Sequence, residues 1–149
     1  PIWAGARGRV GREPRDRGER IVCVAGDAAH LDRRIRDYLK REARRDLLKA
    51  CQVYAEALDV KVKRVCIRDQ SSRWGSCTSA GVLSFSWRLI FAPPAVLDYL
   101  AAHEVSHLVE MNHSPRFWRV VARVCSHVER SKSWLDTHGN DLHRYGVKQ

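Results

Sequence analysis

Apolar and polar positions change their rhythm several times along the chain. From about Leu31 to Leu58, Leu31, Ile35, Tyr38, Leu39, Leu47, Leu48, Cys51, Tyr54, Ala55 and Leu58 recur at helical spacing with charges between them. This predicts one long amphipathic helix with its apolar stripe on a core, and Asp27 or Asp32 is suited to start it. Residues 60–68 alternate instead, Val60, Val62, Val65 and Ile67 standing among Lys61, Lys63, Arg64 and Arg68, the pattern of a half-exposed strand. Residues 69–81 hold Ser, Gly, Asp and Thr and read as a turn or irregular edge. Residues 82–91 read as another strand, and residues 21–25 as a short one closed by Gly26-Asp27. Pro93-Pro94 stops the second run and opens a helix to about Val109. A further helix is expected from Ser114-Pro115 to about His127, and a short one over 131–137. Residues 1–20 are rich in Gly and Arg without periodicity, so they are expected to be a flexible basic segment ahead of a single domain over 21–149. The sum is an α+β fold: a long helix, a small β-sheet, then further helices.

Composition narrows the class. At 149 residues, 44% apolar and 30% charged, the chain is the size of one globular domain with a real core. No apolar run approaches the roughly 20 residues of a membrane helix. There is no initiator Met and no charged start followed by an apolar stretch, so a piece of a longer chain without a secretory leader is expected. The five cysteines, Cys23, Cys51, Cys66, Cys77 and Cys125, are odd in number and widely spaced. They argue against a disulfide framework and for a reducing, cytoplasmic setting. The net charge is +10, and residues 1–50 carry 14 Lys/Arg against 8 Asp/Glu. Such a balance favours contact with polyanions such as nucleic acid, and an Arg-rich solvated face explains it equally well.

One short stretch carries chemistry. His103-Glu104-Val105-Ser106-His107 places two imidazoles four residues apart, hence on one face of the predicted helix. Two such rings can address one Zn²⁺, and Glu104 can reach water on the metal without ligating it. Zinc lowers the pKa of that water towards about 7, and a carboxylate beside it can take the proton. Buried imidazoles without a partner are costly, which also favours a metal.

A catalytic zinc usually takes three protein ligands. The candidates are His113, Glu110, Cys77, His127, His138 and His143. His113 is favoured because it follows His107 by six residues, just past the expected helix end, the spacing of the metzincin pattern. That pattern has Gly where this chain has Glu110, so Asn112 is expected to supply left-handed backbone at the turn. Glu110 or a downstream residue stays open as the rival third ligand.

Beyond this point the chain resembles a known family. Arg73-Trp74-Gly75-Ser76-Cys77, Trp87-Arg88-Leu89, Ala92-Pro93-Pro94, His103-Glu104-Val105-Ser106-His107 and Asn112-His113-Ser114-Pro115-Arg116-Phe117-Trp118 follow one another as in the YgjP-like family of zinc metallopeptidases, which is similar in turn to the SprT-like and WLM peptidases. The resemblance covers about residues 60–138, more loosely from residue 21. It implies a minimal, gluzincin-like zincin fold, with His103, His107 and His113 as zinc ligands and Glu104 as catalytic acid/base. The chain departs from the family at Ser86, where Asn is frequent, and most of the family's β-rich N-terminal region is expected to be absent from it.

The stretch from Trp74 to Cys77 has two readings. Zincin-type peptidases bind an extended substrate along a sheet edge by main-chain hydrogen bonds, and a Gly lets a backbone approach closely. Trp74, Gly75, Ser76 and Cys77 would then line a substrate cleft beside the metal. Alternatively Trp74 and Cys77 are core and Gly75 a bulge. Phe117, Trp118, Val121, Val124 and Trp134 read as core, and His30, His127, His138 and His143 receive no role of their own. The expected function is zinc-dependent hydrolysis of a peptide or protein. The rivals are a metal-dependent nucleotide phosphohydrolase and a non-catalytic nucleic-acid-binding module with structural zinc.

Overall fold

The computed structural model describes residues 10–14, 20–24, 30–70 and 73–142. The chain falls into two compact units, Pro1–Arg41 and Glu42–Gln149. In the first, strands β1 (Val10–Pro14) and β2 (Arg20–Val24) pair antiparallel, Val10 opposite Val24 and Pro14 opposite Arg20. The strand at Val10–Pro14 lies inside residues 1–20, the stretch expected to be a flexible basic segment. Its sequence, Val-Gly-Arg-Glu-Pro, has no apolar alternation, and only the pairing with β2 marks it as a strand. Asp27, one of the two residues expected to start the long helix, lies outside the described residues.

Helix α1 (Leu31–Leu58) begins in the first unit and ends in the second. Within the second unit Ala43, Leu47, Cys51, Tyr54 and Leu58 form its buried stripe, four, four, three and four residues apart as a helix face requires. The helix stops at Asp59, which has φ 52°. The Val60 N–H reaches the Ala55 carbonyl at 3.0 Å and the Asp59 N–H that of Glu56 at 3.2 Å. This is a Schellman ending with Asp where Gly is usual.

Strands β3 (Arg64–Arg68), β4 (Gly75–Cys77) and β5 (Val82–Ser86) form a sheet in the order β3-β5-β4. β3 runs parallel to β5, Arg64 opposite Val82, while β4 runs antiparallel, Gly75 opposite Phe85. The central strand is buried on both faces, with Leu83 and Phe85 in the core. Gly81 makes the β4–β5 turn possible: its φ is +90°, and a Cβ there would stand 3.1 Å from the Lys61 carbonyl oxygen. The expected strands are longer than those observed. Val60 and Val62 precede β3 while still packing on the core, and β5 gives way at Trp87 to a 3-10 helix, Trp87–Phe91. Ser86 causes that change, its Oγ accepting from the Arg88 N–H at 3.3 Å. Ser is a favoured N-cap residue. Arg88 is buried and donates to Asp69 Oδ1, which also accepts from Trp87 Nε1 at 3.1 Å. The Trp87-Arg88-Leu89 motif thus fastens the strand's exit.

Helix α2 (Pro94–Ser106) is buried almost all round and packs against β4, the 3-10 helix, α3 (Pro115–Val124) and α4 (Val128–Leu142). It is the central helix of its unit. Ser114 caps α3, accepting from the Phe117 N–H at 3.3 Å, as its Ser-Pro start predicts. α4 is twice the expected length, with Val128, Leu135 and Leu142 packed on the core along it. Gly139 in its last turns leaves room for the Trp74 ring, whose Cζ2 would lie 3.4 Å from a Cβ at that position. Among the described residues no helix is long and apolar enough to cross a membrane.

Candidate metal centre

α2 brings His103, Glu104 and His107 to one end of the sheet, and the chain then tightens. Leu108 and Val109 donate to the carbonyls of Val105 and Ser106, three residues back, at 3.0 Å each. These short turns carry the chain to His113 without a left-handed residue. Among the described residues Asp59 alone has positive φ outside glycine, so Asn112 does not play its expected part.

His103 and His107 both approach His113. Their Nε2 atoms lie 3.2 and 3.1 Å from His113 Nε2. His107 Nδ1 is 3.1 Å from the Glu110 carbonyl oxygen. A carbonyl only accepts, so Nδ1 carries the proton and Nε2 presents its lone pair to the other rings. His103 Nδ1 is 3.3 Å from Tyr99 Oη. Phe117 stacks on the His107 ring at 4.3 Å between centroids, and Trp118 on His113 at 6.0 Å. Burial first, then the neighbouring His107, His113 and Lys132, push His103 down to about 3. Burial lowers His107 as well, with the Glu110 hydrogen bond working against it. Both rings are therefore neutral, the form that binds metal.

Glu104 is buried, and burial raises its carboxyl to about 7. Its Oε1 is 3.8 Å from His103 Nε2, and its Oε2 is enclosed with no hydrogen-bond partner. β4 lies directly beneath it: a Cβ on Gly75 would sit 3.0 Å from Glu104 Cγ and 3.2 Å from the Ser84 carbonyl oxygen. A cleft of about 330 Å³ opens here. Arg73, Gly75, Ser76 and Cys77 form one side, the three histidines, Glu104 and Met111 the other.

The three residues His103, His107 and His113 form a group able to hold a metal ion. Ligand nitrogens of a tetrahedral zinc, each at about 2.0–2.1 Å, stand roughly 3.3–3.4 Å apart. The observed separations match this, and convergent lone pairs with an orphaned carboxylate alongside want a cation, so the residues fit the metal.

The other candidates lie elsewhere. Glu110 turns its carboxylate towards Arg116, 3.8 Å from Nε, and serves the site through its carbonyl. Cys77 lines the cleft without joining the histidine group, His138 lies against Trp134, and His143 is outside the described residues. Trp74 does not line the cleft and packs against α4, so the motif splits between a structural Trp and a cleft wall at Gly75–Cys77. Phe117 and Trp118 are packed as expected but also wall the histidines. Tyr99 was not singled out by the pattern, although it sits one turn before His103.

A family model for a YgjP-like, metallopeptidase domain matches residues 6–138. The chain belongs to that family. As a YgjP-like metallopeptidase domain it is a metal-dependent hydrolase, and peptides or proteins are the substrates of such enzymes. Among solved structures, the YgjP-like chain is similar to the metallopeptidase zymogen abylysin of Pyrococcus abyssi, at 23% identity and a TM-score of 0.55, over 68% of this chain and 99% of that one. That likeness supports the α+β fold of a small metallopeptidase. A comparison with curated proteins gives no match.

Proposed function

We propose that the chain is a zinc-dependent peptidase in which His103, His107 and His113 hold the metal and Glu104 is the general base. The observation that carries this is the meeting of three imidazole Nε2 atoms, at 3.1 and 3.2 Å, beside a buried and unpartnered carboxylate oxygen. Bound zinc would supply Lewis acidity, polarising the scissile carbonyl and acidifying water at neutral pH. Glu104 accepts the proton of the attacking water and delivers it to the leaving amine. In the metal-free chain burial raises that carboxyl to about 7, and a cation bound beside it would favour the ionised, proton-accepting form. Tyr99 and the Glu110 carbonyl orient His103 and His107 from behind. Among the described strands β4 has a free edge, and Gly75, Ser76 and Cys77 on it would align the substrate's main chain across the cleft. Imidazole donors favour zinc over harder divalent ions. Cys51, Cys66, Cys77 and Cys125 are unpaired, which suits a reducing, cytoplasmic setting.

The test compares wild type and Glu104→Gln on a peptide library, with metal content measured alongside. The variant should keep its metal and lose hydrolysis by about 100-fold or more. Undiminished hydrolysis would refute the role of Glu104. Turnover of nucleoside triphosphates instead of peptides, abolished by chelator, would redirect the substrate class.

A further inference from the structure

A second group of ligand-type side chains lies away from the histidine centre. Asp98 on α2, Cys125 at the end of α3 and His127 just before α4 bring a carboxylate oxygen, a sulfur and a ring nitrogen within 4.8 Å of one another. Cys125 is buried and the other two are half-buried. None of them serves the hydrolytic reading above.

Three features distinguish this group from an ordinary hydrogen-bonded cluster. His127 Nε2 stands only 3.0 Å from Asp98 Oδ2, close enough for an ion pair, yet it is enclosed and without a hydrogen bond. An enclosed nitrogen left this way is costly unless another partner joins it. Two donor atoms that close are arranged as ligands of a shared ion are. Secondly, the Tyr54 hydroxyl donates to Asp98 Oδ2, the kind of outer hydrogen bond that holds a ligating carboxylate in place. Thirdly, a cavity of about 820 Å³ opens onto Cys125 and His127 and gives an ion a way in.

The donor chemistry is specific. Thiolate, imidazole and carboxylate together suit a borderline-soft divalent ion, zinc first among them. Donors around such an ion stand about 3.3–3.7 Å apart, so atoms up to 4.8 Å apart draw together by up to about 1.5 Å, while Asp98 Oδ2 and His127 Nε2, at 3.0 Å, move slightly apart. We propose that Asp98, Cys125 and His127 bind a second transition-metal ion of the zinc class, independent of the His103 centre. It would tie α2 to the α3–α4 turn, and on binding Cys125 gives up its thiol proton to solvent.

Cobalt titration of the full chain tests this. The wild type should bind two equivalents and show a thiolate-to-cobalt charge-transfer band in the near ultraviolet. The His103→Ala/His107→Ala variant should retain one equivalent and the band, and Cys77→Ser should retain both equivalents and the band. Cys125→Ser should lose the band and one equivalent, and His127→Gln one equivalent. Wild type that binds a single equivalent with no thiolate band overturns the proposal without recourse to any variant. A band that survives Cys125→Ser and vanishes in Cys77→Ser overturns it too. In either case the Tyr54–Asp98–His127 contact is a plain polar staple.

Discussion

Glu104 is the residue on which structure and chemistry press hardest. The metal-free chain buries a carboxyl whose pKa rises from the ordinary 4.5 to about 7. A carboxyl raised in the folded state contributes stability that is full below about 4.5 and lost as pH climbs to 7. Metal-free Glu104→Gln should therefore equal wild type in stability near pH 4 and exceed it at pH 8 by up to about 3 kcal/mol, read by urea unfolding at the two pH values. An equal gain at both would mean that burial of the charge is not the cause. Gly75 is bound to the same carboxylate by space. Gly75→Ala puts a Cβ 3.0 Å from Glu104 Cγ, so the proposed base gives way by a few tenths of an ångström, and kcat/KM should fall by roughly 10-fold because catalytic groups tolerate little misplacement. The fold, followed by circular dichroism, should be retained. The three histidines and Glu104 were legible in the sequence because their spacing is local, one helix turn plus one short loop. Tyr99 and the Glu110 carbonyl were not, since any residue on that face or in that loop looks equivalent until the chain is folded. Asp98, Cys125 and His127 were hidden for the same reason: the first is 27 positions from the second, and no spacing rule joins them.

At the scale of elements, apolar rhythm predicted existence better than ends. α1 was legible because its stripe runs through many turns. β5 was overextended because Trp87–Phe91 is as apolar as the strand before it, and only the Ser86 cap bends the chain into a 3-10 turn. β4 reads in sequence only as a turn or irregular edge because three residues, Gly75–Cys77, show no alternation and owe their conformation to pairing with β5. α4 was read too short because it holds Gly139 and Asn140 and carries few apolar residues. The end of α1 offers a prediction at this scale. Asp59 is exposed and left-handed, so Asp59→Gly should relieve strain and raise stability by about 0.5–1 kcal/mol in urea unfolding. A loss would mean that the Asp59 side chain stabilises the ending. At the exit of β5, Asp69→Ala removes an acceptor from buried Arg88 and from Trp87 and should cost about 2 kcal/mol.

At the scale of the whole molecule, the candidate site takes His103, Glu104 and His107 from α2, one wall from β4 and the third histidine from the loop before α3. Contributions from several elements couple metal binding to folding. Zinc at 100 times its Kd should stabilise the chain by about 2.7 kcal/mol, seen as a rise in Tm that chelator reverses and that His103→Ala/His107→Ala diminishes. Of the +10 charge, Arg73 lines this cleft and Lys132 acts on His103, and for the rest an Arg-rich solvated surface accounts as fully as a polyanion partner does. Anomalous diffraction from a zinc-loaded crystal tests the central claim most directly. The account predicts a peak within bonding distance of Nε2 of His103, His107 and His113, with Glu104 beside it and unbound. Absence of that peak, or a peak ligated by Glu110 in place of His113, would contradict it.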